Sequence, residues 1–377
     1  MKAKISLFVV TAAAAIFTSS CGWLDQVVNG VSTVVGSNDT AIVIAKTAQV
    51  RTSYAVVAGD LLEVKRGDRL DVLDQVESPD TKGLFWYRVR AHDEAHTEGW
   101  IEAQNVITSD VLEKSRKLAE SFQNVPPQAA GQLRAASNLR LASDMSPENV
   151  LYRLASGSTF EIMSWKFVPK QEVPDVDDNS NKPGKRSKNE EIEAAKEVGE
   201  PDKLDDKYDV WYLVKLDPSV SPAPAGWLFG RQVELQVPTD VLFYQENNRK
   251  FVAWQRIDSE SPDKGTVGKA STPGSWVVLS RSNVAKATDG AEPEFDGIVV
   301  YGFDKYDQNY YMAWRSNGDV WGQLPLRIEG TGDSKSFIVR LKGPDGQVVE
   351  KRFSLFKDKG GRLRVTPPED IGQFMKK

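Results

Sequence analysis

Cysteine and histidine are scarce in this chain of 377 residues, which contains one cysteine and two histidines. Because Cys21 is the only cysteine, no disulfide can form within the chain. Nucleophilic catalysis by a thiol needs a cysteine that lies beside a base such as histidine. Cys21 is the only candidate thiol and stands near the N-terminus, so we exclude cysteine-dependent catalysis.

The two histidines do not predict a metal site. In His92-Asp93-Glu94-Ala95-His96, an aspartate stands where the zinc-binding helix of metalloproteases has glutamate. We also expect this segment to be the tip of a hairpin and not a helix. Carboxylates are plentiful, but no spacing singles out an acid and base pair. The sequence therefore predicts no catalytic residue, no metal and no cofactor, and we expect that the protein is not an enzyme.

An excess of positive charge is also missing, since the formal net charge is -5. An acidic chain repels phosphate backbones, and we therefore predict that nucleic acid is not a partner.

Long apolar runs are absent apart from residues 5–17, which are too few to span a membrane. The run follows Lys2 and Lys4 and precedes small residues, a pattern typical of a signal peptide.

The junction Thr18-Ser19-Ser20-Cys21 resembles a bacterial lipoprotein signal, with Thr18 where the usual pattern has an aliphatic residue. The resemblance implies a signal peptide over residues 1–20, cleavage before Cys21, and lipid such as palmitate on that cysteine. Acyl chains on Cys21 would anchor the protein to membrane, with residues 21–40 as a tether. Gly22 follows the cysteine, which resembles outer-membrane sorting. We therefore expect the protein to be located in the cell envelope, and we favour the outer membrane. It would face either the periplasm or the cell surface.

Short alternating strands separated by Gly and Asp turns fill residues 41–108 and indicate a small β-barrel. The order of features resembles a bacterial SH3 domain over the whole of this segment. The features are Val50-Arg51-Thr52, Leu62, Arg66-Gly67-Asp68, Val72, Trp86-Tyr87-Arg88-Val89, Gly99-Trp100-Ile101 and Val106.

The same order recurs in residues 128–238, which we predict to be a second SH3-like barrel. This repeat is longer because of a polar stretch, residues 168–207, which we expect to be a disordered insertion. The recurring features are Leu139-Arg140-Leu141, Val150-Leu151-Tyr152, Gly157-Ser158, Phe160, Ile162, Trp211-Tyr212-Leu213-Val214, Gly226-Trp227-Leu228 and Val233.

Two further segments complete the chain. Residues 109–127 have apolar positions near helical spacing, and Ser109 is a candidate cap, which predicts a helical linker; an extended connector is the alternative. Residues 239–377 continue the β pattern, with hairpin signals such as Gly343-Pro344-Asp345-Gly346. Antiparallel strands joined by short turns indicate a third domain that is a barrel or a sandwich. The fold class is therefore mainly β.

The candidate binding residues lie on equivalent strands of the two repeats. Period-two alternation puts Trp86, Arg88 and Arg90 on one face of a strand and Tyr87 and Val89 on the other. Tryptophan beside cationic groups can bind a peptide or a sugar. The alternative is that the tryptophans of both strands only cover the cores of the two barrels. The candidates are Trp86, Arg88 and Trp100 in the first repeat and Trp211, Lys215 and Trp227 in the second.

The third domain has an aromatic-rich stretch over residues 301–321. Alternation groups Tyr310, Met312 and Trp314 on one face, with Tyr306 in a polar tip beside them. One face must be core and the other is a candidate binding surface, so Tyr306, Tyr310 and Trp314 are candidates.

These features predict a membrane-anchored protein that binds peptidoglycan peptides or envelope proteins through tandem SH3-like modules. Weak modules joined on one chain would act by avidity. A scaffold or assembly subunit of an envelope complex is the alternative. A cell-wall hydrolase hidden in residues 240–377 is a third hypothesis, which no motif supports.

Overall fold

The computed structural model shows a mainly β protein, as the sequence predicts. The predicted signal peptide, Cys21 and residues 21–38 of the predicted tether lie outside the residues that the structure describes, and so do residues 171–201 of the predicted insertion. The described residues are 39–55, 57–78, 85–146, 149–170, 202–246, 248–258, 273–287, 291–332 and 334–376.

The first repeat is one antiparallel sheet of seven strands. Its strands are β1 (Asp39–Val43), β2 (Thr47–Arg51), β3 (Asp60–Lys65), β4 (Arg69–Glu77), β5 (Phe85–Ala91), β6 (Glu98–Glu102) and β7 (Val106–Thr108). They lie in the order β3-β2-β6-β5-β4-β1-β7. Alternate residues point inward, and Val50, Val72, Val89 and Ile101 are buried in the core of this sheet.

The second repeat has the same topology. Its strands are β8 (Ala129–Leu133), β9 (Ser137–Arg140), β10 (Val150–Leu154), β11 (Thr159–Pro169), β12 (Tyr208–Lys215), β13 (Ala225–Phe229) and β14 (Val233–Leu235). Their order, β10-β9-β13-β12-β11-β8-β14, matches the first repeat strand for strand.

Corresponding residues also make corresponding contacts in the two sheets. Trp100 pairs with Arg51 in the first repeat, and Trp227 pairs with Arg140 in the second. The preceding residue is glycine in both, because the neighbouring strand passes too close for a side chain. A Cβ at Gly99 would lie 2.6 Å from the Arg51 carbonyl oxygen, and the second repeat has the same crowding. The repeat that the sequence indicates is therefore present in the strand order.

The ends of the predicted insertion are ordered. Val168 and Pro169 continue β11 and pair with Asp209 and Tyr208 of β12. A short helix, α2 (Leu204–Lys207), precedes β12 and buries Leu204. The prediction of disorder over all of residues 168–207 is thus wrong at both ends, because strand pairing extends beyond the part of β11 that the sequence pattern marks.

The predicted linker helix is present as α1 (Ser109–Glu120). Its cap is Thr108 and not Ser109, since the Thr108 hydroxyl accepts a hydrogen bond from the backbone N–H of Val111. Ser109 lies one residue inside the helix, and its hydroxyl is 2.5 Å from that of Thr40 on β1. The helix is therefore fastened to the first repeat where it begins.

The third domain is a sandwich of two four-stranded antiparallel sheets. One sheet is formed by residues between 249 and 315 and the other by residues between 322 and 366, and in both sheets the strands lie in chain order. Trp314 packs on Phe353 across the two sheets with ring centroids 5.2 Å apart, as in the core of a β-sandwich. The strands are β15 (Arg249–Arg256), β16 (Trp276–Ser282), β17 (Gly297–Asp304), β18 (Asn309–Arg315), β19 (Asp319–Val320), β20 (Gly322–Thr331), β21 (Ser334–Lys342), β22 (Val348–Lys357), β23 (Leu363–Thr366) and β24 (Met375–Lys376).

One predicted strand of this domain is wrong. The sequence of residues 241–244 predicts a strand, but the structure has a short helix, α3 (Thr239–Leu242). Val241 is buried and anchors the helix, while Phe243 is 89% exposed. A run of four apolar residues does not distinguish a strand from a single helical turn.

The sandwich and the second repeat share a continuous core through Gln128, which is fully buried. The Gln128 side chain accepts a hydrogen bond from the Leu326 N–H at 2.6 Å and donates one to the Leu326 carbonyl at 3.1 Å. Its backbone carbonyl accepts from the N–H of Trp254, and its N–H donates to the carbonyl of Ile162. One residue thus joins the second repeat to both sheets of the sandwich.

The stability of the sandwich should depend on the protonation of Glu294. Burial raises the pKa of Glu294 from 4.5 to about 7, although a hydrogen bond from the Leu324 N–H and the charge of Arg340 oppose the rise. Between these two values the folded state holds a proton that the unfolded state has released. The stabilisation that this proton provides is complete below pH 4.5. The free energy of unfolding therefore falls as pH rises through this window.

We expect Glu294→Gln to remove this contribution. From pH 5 to pH 8 the wild type should lose roughly 2 kcal/mol relative to the variant, measured by urea unfolding. The variant keeps the remaining carboxylates, so the difference between the two slopes isolates Glu294. Equal slopes for wild type and variant would show that this carboxyl titrates at its ordinary pKa.

Candidate functional site

The outer face of the first repeat carries the predicted aromatic and cationic residues. Tyr87 and Val89 face the core of the sheet, and Arg88 faces away from it, so the alternation predicted for β5 is confirmed. The Arg88 side chain is 50% exposed and that of Arg90 is 43% exposed. Both guanidinium groups are therefore accessible to a partner in solution.

Trp100 lies at the centre of this face. It stands directly opposite Arg88 on β5 and opposite Arg51 on β2, and paired residues of antiparallel strands share a face. The ring of Tyr54 meets the indole edge-on, with centroids 5.1 Å apart at 80°. A half-buried tryptophan thus lies between two arginines. We call Arg51, Tyr54, Arg88, Arg90 and Trp100 the Trp100 face.

Acidic neighbours hold the arginines in place. Glu98 lies 3.0 Å from Arg88 and 2.7 Å from Arg90, and the hydrogen bond from Arg90 is the main cause that lowers the pKa of Glu98. Arg51 donates to the carbonyl of Ala58 at 3.0 Å and lies 3.3 Å from Asp60. The guanidinium groups are therefore oriented before any ligand arrives, which reduces the entropy lost on binding.

Trp86 does not contribute exposed surface to this face, although it was a candidate. Its side chain is 5% exposed, and its indole Nε1 has no hydrogen-bond partner among the described residues. Trp211, the equivalent residue of the second repeat, is 2% exposed and packs on Phe229 at 5.3 Å. These two tryptophans are therefore buried and contribute no exposed surface to a binding face.

The equivalent face of the second repeat is covered by α1. Leu213 occupies the position of Arg88 and is 4% exposed, and Ala225 occupies the position of Glu98 and is fully buried. Phe122, just beyond α1, packs with Leu213 and Ala225, and Trp227 lies partly buried against the same cluster. Replacing a charged pair by Leu and Ala makes this face apolar, and the helix removes it from water.

Hydrogen bonding fixes the helix on this face. Ser115 is fully buried in the middle of α1, and its hydroxyl donates to the Ala225 carbonyl at 2.6 Å. The same hydroxyl accepts from the Ala225 N–H at 3.2 Å. Among the second-repeat candidates, Lys215 remains accessible, with its side chain 55% exposed and paired at 3.7 Å with Glu161.

The aromatic stretch of β18 is divided differently from the prediction. Ala313 forms a bulge, since Val300 pairs with Trp314 and Tyr301 pairs with Met312. The extra residue places Trp314 on the core side of the sheet, so the prediction that it shares a face with Tyr310 and Met312 is wrong. Trp314 packs on Phe353 and lies partly buried against the core of the sandwich.

The other two candidates of this stretch are not buried in the sandwich. Tyr306 is 91% exposed in the turn between β17 and β18. Tyr310 is half-buried and packs on Phe303 at 5.1 Å and Tyr244 at 6.1 Å. Burial and a hydrogen bond to Asp240 raise the pKa of Tyr310, so its phenol stays protonated at neutral pH.

The histidine segment is a turn between β5 and β6, as expected. His92 lies 2.9 Å from Asp71, and His96 has a positive φ of 48°. Within the described ranges, no group of three or more His, Cys, Asp or Glu residues is arranged to hold a metal ion.

Sequence reasoning did not find Tyr54 or Glu98, nor the covering of the second repeat. Tyr54 lies in the loop after β2, and no periodicity connects it with Trp100. Aligning the repeats would have found the difference between the faces, because Arg88 and Glu98 correspond to Leu213 and Ala225.

Comparison with known proteins does not define a family. No family model and no curated protein matches this chain. Among solved structures, the chain has a likeness to that of NlpC1 from Trichomonas vaginalis, with 10% identity over 89% of this chain and 95% of the other. The TM-score of 0.15 is too low for any argument about fold or function.

Across the described part of the chain, no helix has the length and apolar character needed to cross a membrane.

Proposed function

We propose that this chain is a lipid-anchored, non-catalytic protein of the cell envelope that binds peptidoglycan peptides through the Trp100 face. The observation that carries the proposal is the position of Trp100 between Arg51 and Arg88, beside the half-exposed Arg90. Among the predicted candidates of the second repeat, Lys215 is the accessible cation, and the central tryptophan, Trp227, lies against the cluster beneath α1. Binding is therefore assigned to the first repeat.

The chemistry of the Trp100 face suits a peptide that bears carboxylates. Arginine forms two parallel hydrogen bonds to a carboxylate, and its planar group also stacks on aromatic rings. Tryptophan gives a large apolar surface at little cost in side-chain entropy and attracts cations to its face. Peptidoglycan peptides offer carboxylates, short apolar side chains and ammonium groups, which match Arg88, Trp100 and Glu98 respectively.

The anchor is proposed from the sequence alone, since Cys21 lies outside the described residues. A basic start, a short apolar run and small residues before the single cysteine support lipid attachment there. Several acyl chains give firm anchoring where one gives only reversible binding. The anchor would hold the Trp100 face within reach of the wall.

The first experiment is co-sedimentation of the detergent-solubilised full chain with purified sacculi. Trp100→Ala should weaken pelleting by about tenfold or more, because it removes the central contact surface. Arg88→Glu should weaken pelleting similarly, and because the Arg88 side chain is half-exposed the variant should fold like wild type. Lys215→Ala is the matched control, since it removes an exposed cation from the equivalent strand of the second repeat and should pellet like wild type.

Pelleting that none of these substitutions alters would refute binding through the Trp100 face. Absence of pelleting above a control protein would remove wall recognition altogether and favour the scaffold hypothesis, in which the same face binds an envelope protein.

Lipid attachment is tested in cells fed with radioactive palmitate. The wild type should be labelled and partition into membrane, whereas Cys21→Ser should be unlabelled and lose membrane association. Labelling that persists in Cys21→Ser would contradict attachment at this residue.

A further inference from the structure

A small pocket lies on one face of the first sheet of the sandwich. Tyr301, Met312 and Arg315 share this face of the first sheet because of the bulge at Ala313. The space measures about 100 Å³, which is small beside the roughly 300–1,000 Å³ of pockets that hold drug-sized ligands. A ligand that fills it is about as large as a single amino acid.

One wall of the pocket is aromatic. The ring of Tyr244 lies 5.1 Å from that of Tyr301, and the ring of Phe251 lies 6.5 Å from that of Tyr301. Tyr301 is 3% exposed and Tyr244 is 41% exposed. Burial, with a smaller effect of the Glu246 charge, raises the pKa of Tyr301 to about 12, so the phenol remains neutral. This wall is suited to an apolar side chain.

The opposite wall is a network of ion pairs that is already saturated. Arg249 pairs with Asp296 at 2.5 Å and also with Asp319, and Lys286 contacts both carboxylates at 2.5 Å. Burial would raise the pKa of Asp296, but hydrogen bonds from Lys286 and Ser282 and the nearby positive charges lower it. The carboxylate therefore stays ionised and the wall is rigid.

The remaining charges at the pocket are held loosely. Arg315 and Glu246 are 3.7 Å apart, and their side chains are 59% and 53% exposed. An exposed pair of this kind contributes little to stability, so a ligand can separate it at little cost. Once separated, the two side chains offer one positive and one negative group beside an aromatic wall.

We propose that this pocket binds a free amino acid with an apolar side chain. Its carboxylate pairs with Arg315, its ammonium group pairs with Glu246, and its side chain packs on Tyr244 and Tyr301. The ligand replaces one weak ion pair by two, which favours a zwitterion over a molecule with a single charge. This site is separate from the Trp100 face and is independent of wall binding.

The test is a ligand-observed NMR titration of the detergent-solubilised full chain with leucine and phenylalanine, in both L and D forms. We expect saturable binding of at least one of them. The N-acetyl and amide derivatives, which each lack one charge, should bind about tenfold more weakly or worse. Arg315→Gln and Glu246→Gln should each weaken binding of the zwitterion to a similar extent.

Arg364→Gln is the matched control, because Arg364 is a half-exposed, ion-paired arginine on β23 that does not line the pocket. It should bind like wild type. Glu246→Gln should in addition lose its preference for the free amino acid over the N-acetyl derivative, which a structural defect would not produce. Equal affinity for blocked and free amino acids, or no binding of any of them at tens of millimolar, would overturn the proposal.

Discussion

The packing of α1 on the second repeat decides which part of this protein is open to a partner. The Ser115 hydroxyl makes two hydrogen bonds to the backbone of Ala225, and Phe122 fills the apolar surface beside it. A fully buried hydroxyl that both donates and accepts fixes the helix in one position. Two sheets of the same topology thereby acquire different surfaces, one covered and one in water.

The difference between the two sheets begins with a few residues. Arg88 and Glu98 form an ion pair that is better solvated than buried, since removing two charges from water costs more than the pair regains. Leu213 and Ala225 at the same positions gain free energy when α1 covers them. With these residues, one sheet has an apolar face that α1 covers and the other has a charged face in contact with water.

Buried hydrogen bonds join the modules that the structure describes. Gln128 joins the second repeat to both sheets of the sandwich, and every polar group of its side chain and backbone has a partner. Because α1 also contacts the first repeat through Ser109 and Thr40, the described modules form a continuous series of packed contacts. Contacts of this kind would keep the proposed Trp100 face in one orientation and would lower the entropy lost on binding.

Much of this fold could be predicted from the sequence, because alternation and turn residues are local properties. The β class, the repeat and the two faces of β5 follow from period-two patterns, and the inward residues of β5 lie where those patterns put them. The pattern fails at Trp314, since one bulged residue reverses every later position, and nothing in the local sequence marks Ala313 as the bulge.

The candidate site was less predictable than the fold. Trp100 and Arg88 are found by alternation, but the covering of the second repeat depends on a helix that packs at long range. The contact of Tyr54 with Trp100 likewise depends on the path of a loop. Period-two patterns report which side of a strand is apolar, and they do not report what covers that side.

Hydroxyl-radical footprinting of the full chain, alone and bound to sacculi, tests most directly whether recognition belongs to the first repeat. The account predicts that Trp100 and Tyr54 lose reactivity when sacculi are added, while Leu213 and Trp211 are unreactive and unchanged in both states. Loss of reactivity confined to the second repeat or to the sandwich, with Trp100 unchanged, would contradict it.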